Sequence, residues 1–378
     1  MIEKIHIQNF KSIYDLELEV GRVNLFIGEN GSGKSNLLEA LVFVSASESN
    51  MLANEFLVSR GLRVPEPELM RSAFDEGDRD KDIEIVINYK NKYSIEEKYS
   101  FKNLNTPYSN WISLTKLNKL ISQYEKDVNN IEEKDWYTLD GDGVLSYFLN
   151  LKKIKLSINF QNFIIYSPEN TALRVFQKEG QIQPLGINGE GLLKLLKVIN
   201  NYEDKSYINT IIESLQLFNW FEDITIPSDI SSLEDKVIIK DKFLYREFTQ
   251  RSANEGFLFI LFYITLIVAK ETPKAFAIDN IDASLNPKLC TKLMTILTEL
   301  AKKYDKQIFL TTHNPAILDG INLNDKDEKI FVASRNELGH TQLKILTVDD
   351  YPIDEDGERL HLSEAFLRGY LGGLPRGF

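Results

Sequence analysis

The sequence has little of what disulfide scaffolds and zinc sites are built from. Its 378 residues include four histidines and one cysteine, Cys290. A single cysteine cannot close an intrachain disulfide, so we expect a protein of the reducing cytoplasm. No CxxC or HxxxH spacing occurs, which argues against a zinc site.

A membrane-spanning segment and an excess of basic charge are also missing. The longest apolar run, residues 256–269, is shorter than the roughly 20 residues of a spanning helix. This run predicts a helix buried on every side, and neither a secretory signal nor a membrane partner is expected. With 44 basic and 56 acidic residues, the formal net charge is −12. That balance argues against coating DNA by bulk charge, although a local basic groove is compatible with it.

What the sequence does contain is a globular composition with alternating strands and helices towards both ends. Residues 23–27 predict a buried strand and residues 35–45 a helix. Near the other end, strands at 275–278 and 307–311 flank a helix at 287–303. Such alternation predicts an α/β fold with a mostly parallel sheet wrapped by helices.

The middle of the chain is longer than one strand–helix–strand unit needs. We predict an N-terminal lobe over 1–104, a mainly helical insertion or arm over 105–245, and a C-terminal lobe over 246–378. The periodicity further predicts hairpins at 83–101 and 235–247, a strand at 163–166, and helices near 112–133, 143–152, 192–200, 205–219 and 361–370.

A phosphate-binding motif lies between the first predicted buried strand and its helix. Residues 28–35 read GENGSGKS and match G-x-x-x-x-G-K-[ST] without a mismatch. Glycines let successive backbone N–H groups point at phosphate oxygens, and the helix that follows adds its positive dipole end. Lys34 is expected to reach the β- and γ-phosphates, and the Ser35 hydroxyl to ligate Mg²⁺. The sequence therefore predicts an ATP and Mg²⁺ site with nucleotide contacts from Asn30, Gly31, Ser32, Gly33, Lys34, Ser35 and Asn36.

Two later strands end in residues that suit the same site. Asp279 follows the apolar residues 275–278, and a P-loop requires a second carboxylate of this kind to hold Mg²⁺. His313 follows residues 309–312 (FLTT), which we predict to be the end of a second buried strand. Because α/β proteins bind ligands at the carboxyl ends of parallel strands, we expect Asp279 beside Ser35 and His313 beside the γ-phosphate.

These motifs resemble those of ABC-type ATPase heads of the SMC, RecF and OLD-like group. The opening IEKIHIQNFKSIYDLELEV with NLFIGENGSGKSNLLEAL resembles the start of RecF and OLD proteins. AFAIDNIDASLNP resembles their Walker B motif and D-loop, and LTTHNP their switch-histidine loop. SPENTALR and GINGEG resemble defence-island ATPases. The resemblance implies a P-loop NTPase fold with a mixed sheet.

The resemblance also implies a signature motif and a dimer. The family signature Ser-x-Gly falls on Asn254, Glu255 and Gly256, with Asn254 in place of serine, so Ser252 or the Asn254 amide has to serve. In such heads the signature of one subunit covers the ATP held by another. A homodimer, or a higher homo-oligomer, is therefore expected.

One catalytic position departs from the family pattern. Family heads carry glutamate after the Walker B aspartate, whereas this chain has Asn280. An amide can orient water but cannot accept its proton, and a general base contributes roughly 10²–10⁴ in rate. Two hypotheses follow. In the first, Asp282, the nearest other carboxylate, or a group from another subunit supports turnover. In the second, hydrolysis is slow and the bound ATP acts as a long-lived clamp. Asn286 likewise replaces an acid of the D-loop.

Other features leave alternatives open. The Q-loop residue is Glu169, Asn170 or Gln161. An acidic run at 349–356 fits a solvated loop better than a metal cluster, because Pro352 and Gly357 interrupt it. A cluster of lysines with nearby aromatic residues has two interpretations, a nucleic-acid surface or a solvated helical face, and we prefer the second. The cluster consists of Lys116, Lys119, Lys152, Lys153 and Lys155 with Tyr108, Trp111 and Tyr147.

The preferred function is an ATPase head that dimerises around nucleotide and controls a separately encoded effector, such as a nuclease in phage defence. A RecF-like DNA clamp and a non-hydrolysing nucleotide sensor are the alternatives. A self-contained nuclease of the OLD type is not expected, because too few residues follow His313 for a Toprim domain.

Overall fold

A mixed, mostly parallel sheet carries the site-bearing strands. The computed structural model describes residues 1–78, 80–90, 95–105, 109–115, 160, 162–176, 180–229, 236–353 and 360–373. In order across the sheet, its strands are β14 (Thr341–Leu346), β13 (Glu328–Arg335), β3 (Val23–Gly28), β12 (Gln307–Thr312), β11 (Ala275–Ile278) and β7 (Ile165–Tyr166). Neighbouring strands run parallel except β13 and β14. The predicted α/β class with a mixed sheet is confirmed.

Both faces of this sheet are covered, which explains why its strands read as continuous apolar runs. Leu25 and Ile27 face one hydrophobic core, whereas Phe26 between them faces a second core. The first core contains helix α6 (Glu255–Val268), whose residues 257–268 are all buried. The predicted all-round burial of that helix is confirmed.

The second core lies between the central sheet and an antiparallel sheet, with helix α1 (Lys34–Glu48) inside it. Across this sheet the order is β2 (Ile13–Glu19), β1 (Ile2–Phe10), β4 (Ile83–Tyr89), β5 (Ile95–Lys102) and β6 (Ile112–Ser113). The hairpin predicted at 83–101 is confirmed. The helix predicted from 112 is wrong at its start, because Ile112 and Ser113 pair with β5 as an edge strand.

A third, three-stranded sheet packs beside the first core. Its order is β10 (Phe248–Thr249), β9 (Ile238–Asp241) and β8 (Phe221–Thr225). The hairpin predicted at 235–247 corresponds to β9 and β10, whereas β8 was not predicted. Helices α4 (Leu192–Asn200) and α5 (Ser206–Leu215) pack into the same core as α6. Residues 163–176 and 180–226 of the predicted insertion therefore contribute to the cores beside the central sheet, and the division at 105 and 245 stays a prediction.

Among the remaining helices, those at Pro287–Lys303 and Leu362–Leu367 lie close to their predicted ranges, whereas no range was predicted for the two between residues 50 and 82. These helices are α2 (Asn54–Ser59), α3 (Pro67–Met70), α7 (Pro287–Lys303) and α8 (Leu362–Leu367). The helix predicted at 143–152 and the lysines of the possible nucleic-acid surface lie outside the described residues. Trp111 is described and is buried against Phe43, so it belongs to the second core. In the described part of the chain, every helix is too short or too polar to cross a membrane.

Candidate functional site

The phosphate-binding loop connects β3 to α1 through a backbone conformation that requires glycine. Gly33, the residue before α1, has φ +100. A Cβ atom there would lie 2.0 Å from the Thr341 hydroxyl oxygen and 2.8 Å from that of Ser12. Residue 33 must therefore be glycine for the loop to curl and for β14 to approach it.

The Lys34 ammonium lies inside this loop. It donates hydrogen bonds of 2.9 Å to the carbonyl oxygens of Gly28 and Glu29. Burial lowers the pKa of Lys34 to about 8, while the negative charges of Asp279, Asp282 and Glu29 oppose that shift. Within the described residues its hydrogen-bond partners are neutral carbonyls, and a buried cation in such surroundings is suited to receive an anion.

His313, the predicted switch histidine, lies against the same loop. The backbone of Gly28 is close enough to the His313 ring to raise its pKa slightly. Burial and, next, the nearby Lys34 charge lower the pKa of His313, so the imidazole is neutral at pH 7. The structure thus places His313 beside Lys34, at the end of β12.

Ser35 and Asp279 meet where β3 and β11 end. The Ser35 hydroxyl lies 3.3 Å from both carboxylate oxygens of Asp279. Thr311, at the end of β12, donates a short hydrogen bond to the same carboxylate. The motifs around Lys34, Asp279 and His313 are far apart in sequence, and the sheet brings them to one edge.

Asp282 holds the loop that carries His313. Its Oδ1 accepts a 2.7 Å bond from the Thr312 hydroxyl and a 3.3 Å bond from the His313 backbone N–H. Asn280 is exposed, and its N–H donates to the Thr311 hydroxyl at 2.9 Å. Asn280 also has φ +54, a left-handed conformation in which asparagine is enriched.

The outer rim of the P-loop is held by residues that sequence reasoning missed. Arg335 donates to the Gly31 carbonyl at 2.7 Å, and Thr341 donates to the Ser32 carbonyl at 3.0 Å. Asn36 donates to the Ser12 hydroxyl at 2.7 Å. Asn30 is exposed at the tip of the loop. No local motif marks the missed residues, because their roles come from strand pairing far along the chain.

A basic groove of about 490 Å³ adjoins this rim, and Lys11, Arg63 and Arg335 are among its lining residues. Under it, the buried Glu39 of α1 accepts a 2.6 Å bond from Arg63 and a short one from Lys11. This pairing satisfies a carboxylate that would otherwise be costly to bury.

The predicted signature residues make no hydrogen bond to the P-loop of the same chain, as far as the structure describes it. Asn254 caps α6, with its side-chain oxygen accepting from the Phe257 N–H at 2.8 Å. Ser252 and Asn254 are exposed and line an open cavity of about 560 Å³. A Cβ on Gly256 would lie 3.2 Å from the Ser284 carbonyl, so the signature and the D-loop are adjacent. Asn286 has a structural task, because it caps α7 through the Leu289 N–H.

Arg174 holds the segment before the signature and was also missed. Its guanidinium donates to the carbonyls of Gln250, Arg251 and Ala253 at 2.7–2.8 Å. Its Nε donates to Asn170 Oδ1 at 2.8 Å. Of the three Q-loop candidates, Asn170 therefore contacts the signature segment through Arg174. The Glu169 N–H donates to the Asn188 carbonyl, and Gln161 lies outside the described residues.

The predicted acidic run is described only in part. Asp350 accepts from the Thr347 N–H and pairs with Lys344 at 2.6 Å, while residues 354–356 lie outside the described ranges. Among the residues that the structure does describe, no three His, Cys, Asp or Glu side chains are grouped to hold a metal ion.

The sheet order, the P-loop and the residues at the strand ends define an ABC-type ATPase head of the SMC and RecF group. The chain belongs to the family described as "AAA domain, putative AbiEii toxin, Type IV TA system", which matches residues 23–319.

Solved structures support the fold. An SMC head bound to the C-terminal winged-helix domain of ScpA has a TM-score of 0.58 at 14% identity, covering 92% of this chain and 98% of that one. An SMC head with an extended coiled coil, bound to the C-terminal domain of ScpA from Pyrococcus furiosus, has a TM-score of 0.50 at 13% identity and covers 92% and 96%. At these identities the likeness concerns the fold alone.

Curated relatives match over short stretches. The uncharacterized protein MJECL10 of Methanocaldococcus jannaschii is 46% identical over 67 residues, which is 16% of this chain and 31% of that protein. RecF of Listeria welshimeri is 42% identical over 55 residues, 14% of this chain and 15% of RecF. RecF of Porphyromonas gingivalis is 43% identical over 61 residues, 16% and 17% respectively. The chain thus spans less than a third of the length of these relatives.

Proposed function

We propose that this chain binds ATP with Mg²⁺ at the P-loop edge, dimerises around it and hydrolyses it slowly. The observation that carries the proposal is the convergence of Lys34, Ser35, Asp279 and His313 on one sheet edge. Phosphate would be received by Lys34 and the N–H groups of the loop, and the adjoining basic groove has room for the nucleoside.

The oxygen atoms of Ser35 and Asp279 are suitable ligands for a magnesium ion. A hydroxyl and a carboxylate 3.3 Å apart are hard oxygen ligands, and Mg²⁺ bound through one or two such groups completes its shell with phosphate oxygens and water. The ion supplies charge neutralisation on the phosphates. Thr311 fixes the Asp279 carboxylate towards Ser35, so this chain orients the ligands before the nucleotide enters.

Dimerisation is proposed because the site is incomplete in one chain. Among the described residues, no hydrogen bond joins Ser252, Asn254 or Gly256 to the P-loop. These signature residues lie at the start of α6, where the helix dipole and free N–H groups suit the phosphate of a partner's nucleotide.

The experiment for this proposal compares oligomeric state with and without nucleotide. Light scattering after gel filtration should show a dimer with Mg²⁺ and a non-hydrolysable ATP analogue. Arg174→Ala releases three backbone carbonyls of the signature segment, so we expect at least tenfold weaker dimerisation while ATP affinity stays within twofold. Arg174→Lys should not rescue it, because an ammonium lacks the planar fork of donors.

Arg368→Ala is the matched control, since that exposed arginine pairs with Glu364 one helical turn away. A chain that stays monomeric with saturating analogue, or an Arg174→Ala chain that dimerises normally, would contradict the proposed role of the signature segment.

Slow turnover is the second part of the proposal, and two observations favour it. Asn280 occupies the position after Asp279 with an amide that cannot take a proton. Asp282, the nearest substitute, uses Oδ1 to hold the Thr312–His313 segment. We therefore propose Asp282 as a positioning residue for the His313 loop, and a nucleotide that persists long enough to act as a clamp.

The biological setting is proposed from the family. Its description names a putative toxin of a type IV toxin–antitoxin system, which favours control of an associated effector, such as a separately encoded nuclease, in cytoplasmic phage defence. Similarity to RecF, a DNA replication and repair protein, supports a DNA clamp as the alternative. ATP-dependent DNA binding that weakens steeply with salt would favour the clamp.

The Lys34 ammonium predicts a pH dependence of ATP binding. Since its pKa is about 8 before ATP binds, a growing fraction of the protein carries neutral Lys34 above that pH. Polyphosphate favours the charged form, so binding should take up a proton, and affinity should fall by up to about tenfold per pH unit well above pH 8. Calorimetry at pH 9 in buffers of different ionisation enthalpy measures this uptake.

Lys34→Arg provides the control, because guanidinium stays charged across this range and should abolish the proton uptake.

The stability of the ligand-free protein should depend on pH in the opposite direction to its ATP affinity. Since the folded pKa lies below the unfolded value of 10.5, the ligand-free protein should gain stability from this residue as pH rises from about 8 to 10.5. ATP binding at pH 9 without proton uptake would contradict the buried position of Lys34.

A further inference from the structure

A second polar pocket lies at the β7 edge of the central sheet. It has a volume of about 400 Å³, within the range of small-molecule sites. Its wall is formed by Arg60 and by residues from the segments 162–166, 182–184 and 270–274. None of these residues was placed in the ATP site above.

Two buried polar atoms in this wall make no hydrogen bond to any residue that the structure describes, although the Arg60 guanidinium lies 4.6 Å from the centre of the Phe56 ring. The Tyr166 hydroxyl belongs to a side chain with 0% exposure, and Arg60 Nε is buried as well. Neither atom makes a hydrogen bond within the part of the chain that the structure describes. An unpaired buried donor is unfavourable, so native proteins rarely leave one without water or ligand. Both atoms are therefore unsatisfied hydrogen-bonding groups in the wall of the pocket.

The charge around these donors is mainly positive. Arg60, Lys270 and Lys274 line the pocket together with one carboxylate, Glu271. Glu271 already accepts a short hydrogen bond from the Tyr202 hydroxyl, and the Lys270 ammonium lies 4.7 Å from the centre of the same ring. Lys274 has a loose contact of 3.7 Å with Asp305. The surplus of cations favours a dianionic group over a neutral one.

We propose that this pocket binds the phosphate group of a small phosphorylated molecule. A guanidinium beside a hydroxyl presents N–H and O–H donors to the tetrahedral oxygens of phosphate. The volume exceeds what phosphate alone needs, so the rest of the molecule also fits.

The pocket is connected to the ATP site through the backbone of its own residues. The Arg60 carbonyl accepts from the Ile165 N–H at 3.1 Å, and three residues later Arg63 bonds to Glu39 and, at 3.3 Å, to Asn36 of α1. The Tyr166 carbonyl accepts from the Asp279 N–H at 2.9 Å. A ligand that fixes Arg60 and Tyr166 therefore restrains the two segments that contact α1 and Asp279 in the ATP site. This regulatory part rests on the proposed function.

The binding test uses the full chain with Lys34→Ala, so that phosphate does not bind at the P-loop. Calorimetric titration with ribose 5-phosphate should show one site per chain, and ribose should not bind. Arg60→Gln should weaken binding at least tenfold, and Tyr166→Phe, which keeps the ring in its packing, about fivefold. Lys326→Gln, an exposed lysine away from the pocket, should leave the affinity unchanged.

No uptake of ribose 5-phosphate, or an affinity that neither Arg60→Gln nor Tyr166→Phe changes, would overturn the proposal. For the regulatory part, ribose 5-phosphate should change the ATP affinity of the chain with native Lys34 at least threefold, and Tyr166→Phe should remove the effect. Equal ATP affinities with and without it would overturn the coupling alone. Failure of ATP to bind at all would overturn the proposed function instead, while the Lys34→Ala titration still decides the pocket.

Discussion

Asn280→Glu should raise the steady-state rate of ATP hydrolysis by about 10²-fold or more. Glutamate would restore a proton acceptor next to Asp279, and general-base catalysis contributes roughly 10²–10⁴ in rate. The substitution has a structural cost, because Asn280 has φ +54 and a non-glycine, non-asparagine residue in this region loses roughly 1 kcal/mol. Phosphate release under saturating ATP measures the rate, and the melting temperature measures the cost.

Asn280→Gln is the matched control for this prediction. It has the length of glutamate and the same backbone cost but no proton acceptor, so its rate should remain near that of the native chain. The contrary outcome is a native chain that already hydrolyses ATP rapidly and loses that activity in Asp282→Asn. Asparagine keeps the acceptor for the Thr312 hydroxyl but cannot take a proton, so that result would make Asp282 the base.

Lys34→Ala should weaken ATP binding about a hundredfold or more. The ammonium lies inside the loop with two carbonyl partners, and charge-assisted bonds to phosphate contribute about 1.5–3 kcal/mol each. Titration of a fluorescent ATP analogue measures the affinity. Lys326→Ala is the control for a lost lysine at an exposed position.

The folded state should tolerate this loss. Burial lowers the pKa of Lys34, so the native state holds the charge at a cost, and alanine removes that cost. We expect an unchanged or higher melting temperature without nucleotide. Near-native ATP affinity in Lys34→Ala would contradict the proposal that Lys34 contacts the phosphates of ATP.

The sequence predicts those parts of the site whose residues form a local motif in the chain. The loop from Gly28 to Ser35 is a complete motif, and Asp279 and His313 each end a short apolar strand. Parallel pairing of β3, β11 and β12 then leaves their carboxyl ends at one edge, as the alternation of strands and helices implies.

The parts that were missed depend on contacts between distant residues. Arg335 and Thr341 reach the P-loop only because β13 pairs with β3 and β14 lies beside it. Arg174 acts through the carbonyls of residues 250–253, which leave no mark on the sequence. The strand at Ile112–Ser113 lies in a stretch whose pattern predicts helix, because two residues at a sheet edge carry too little periodicity to outweigh the pattern that follows.

The central claim is that a triphosphate with its magnesium binds among Lys34, Ser35, Asp279 and His313. Calorimetric titration of the native chain with ATP, in magnesium and then in excess chelator, tests it most directly. We predict one ATP per chain with magnesium and a large loss of affinity without it. Absence of ATP uptake in magnesium, or equal affinities under both conditions, would contradict the claim.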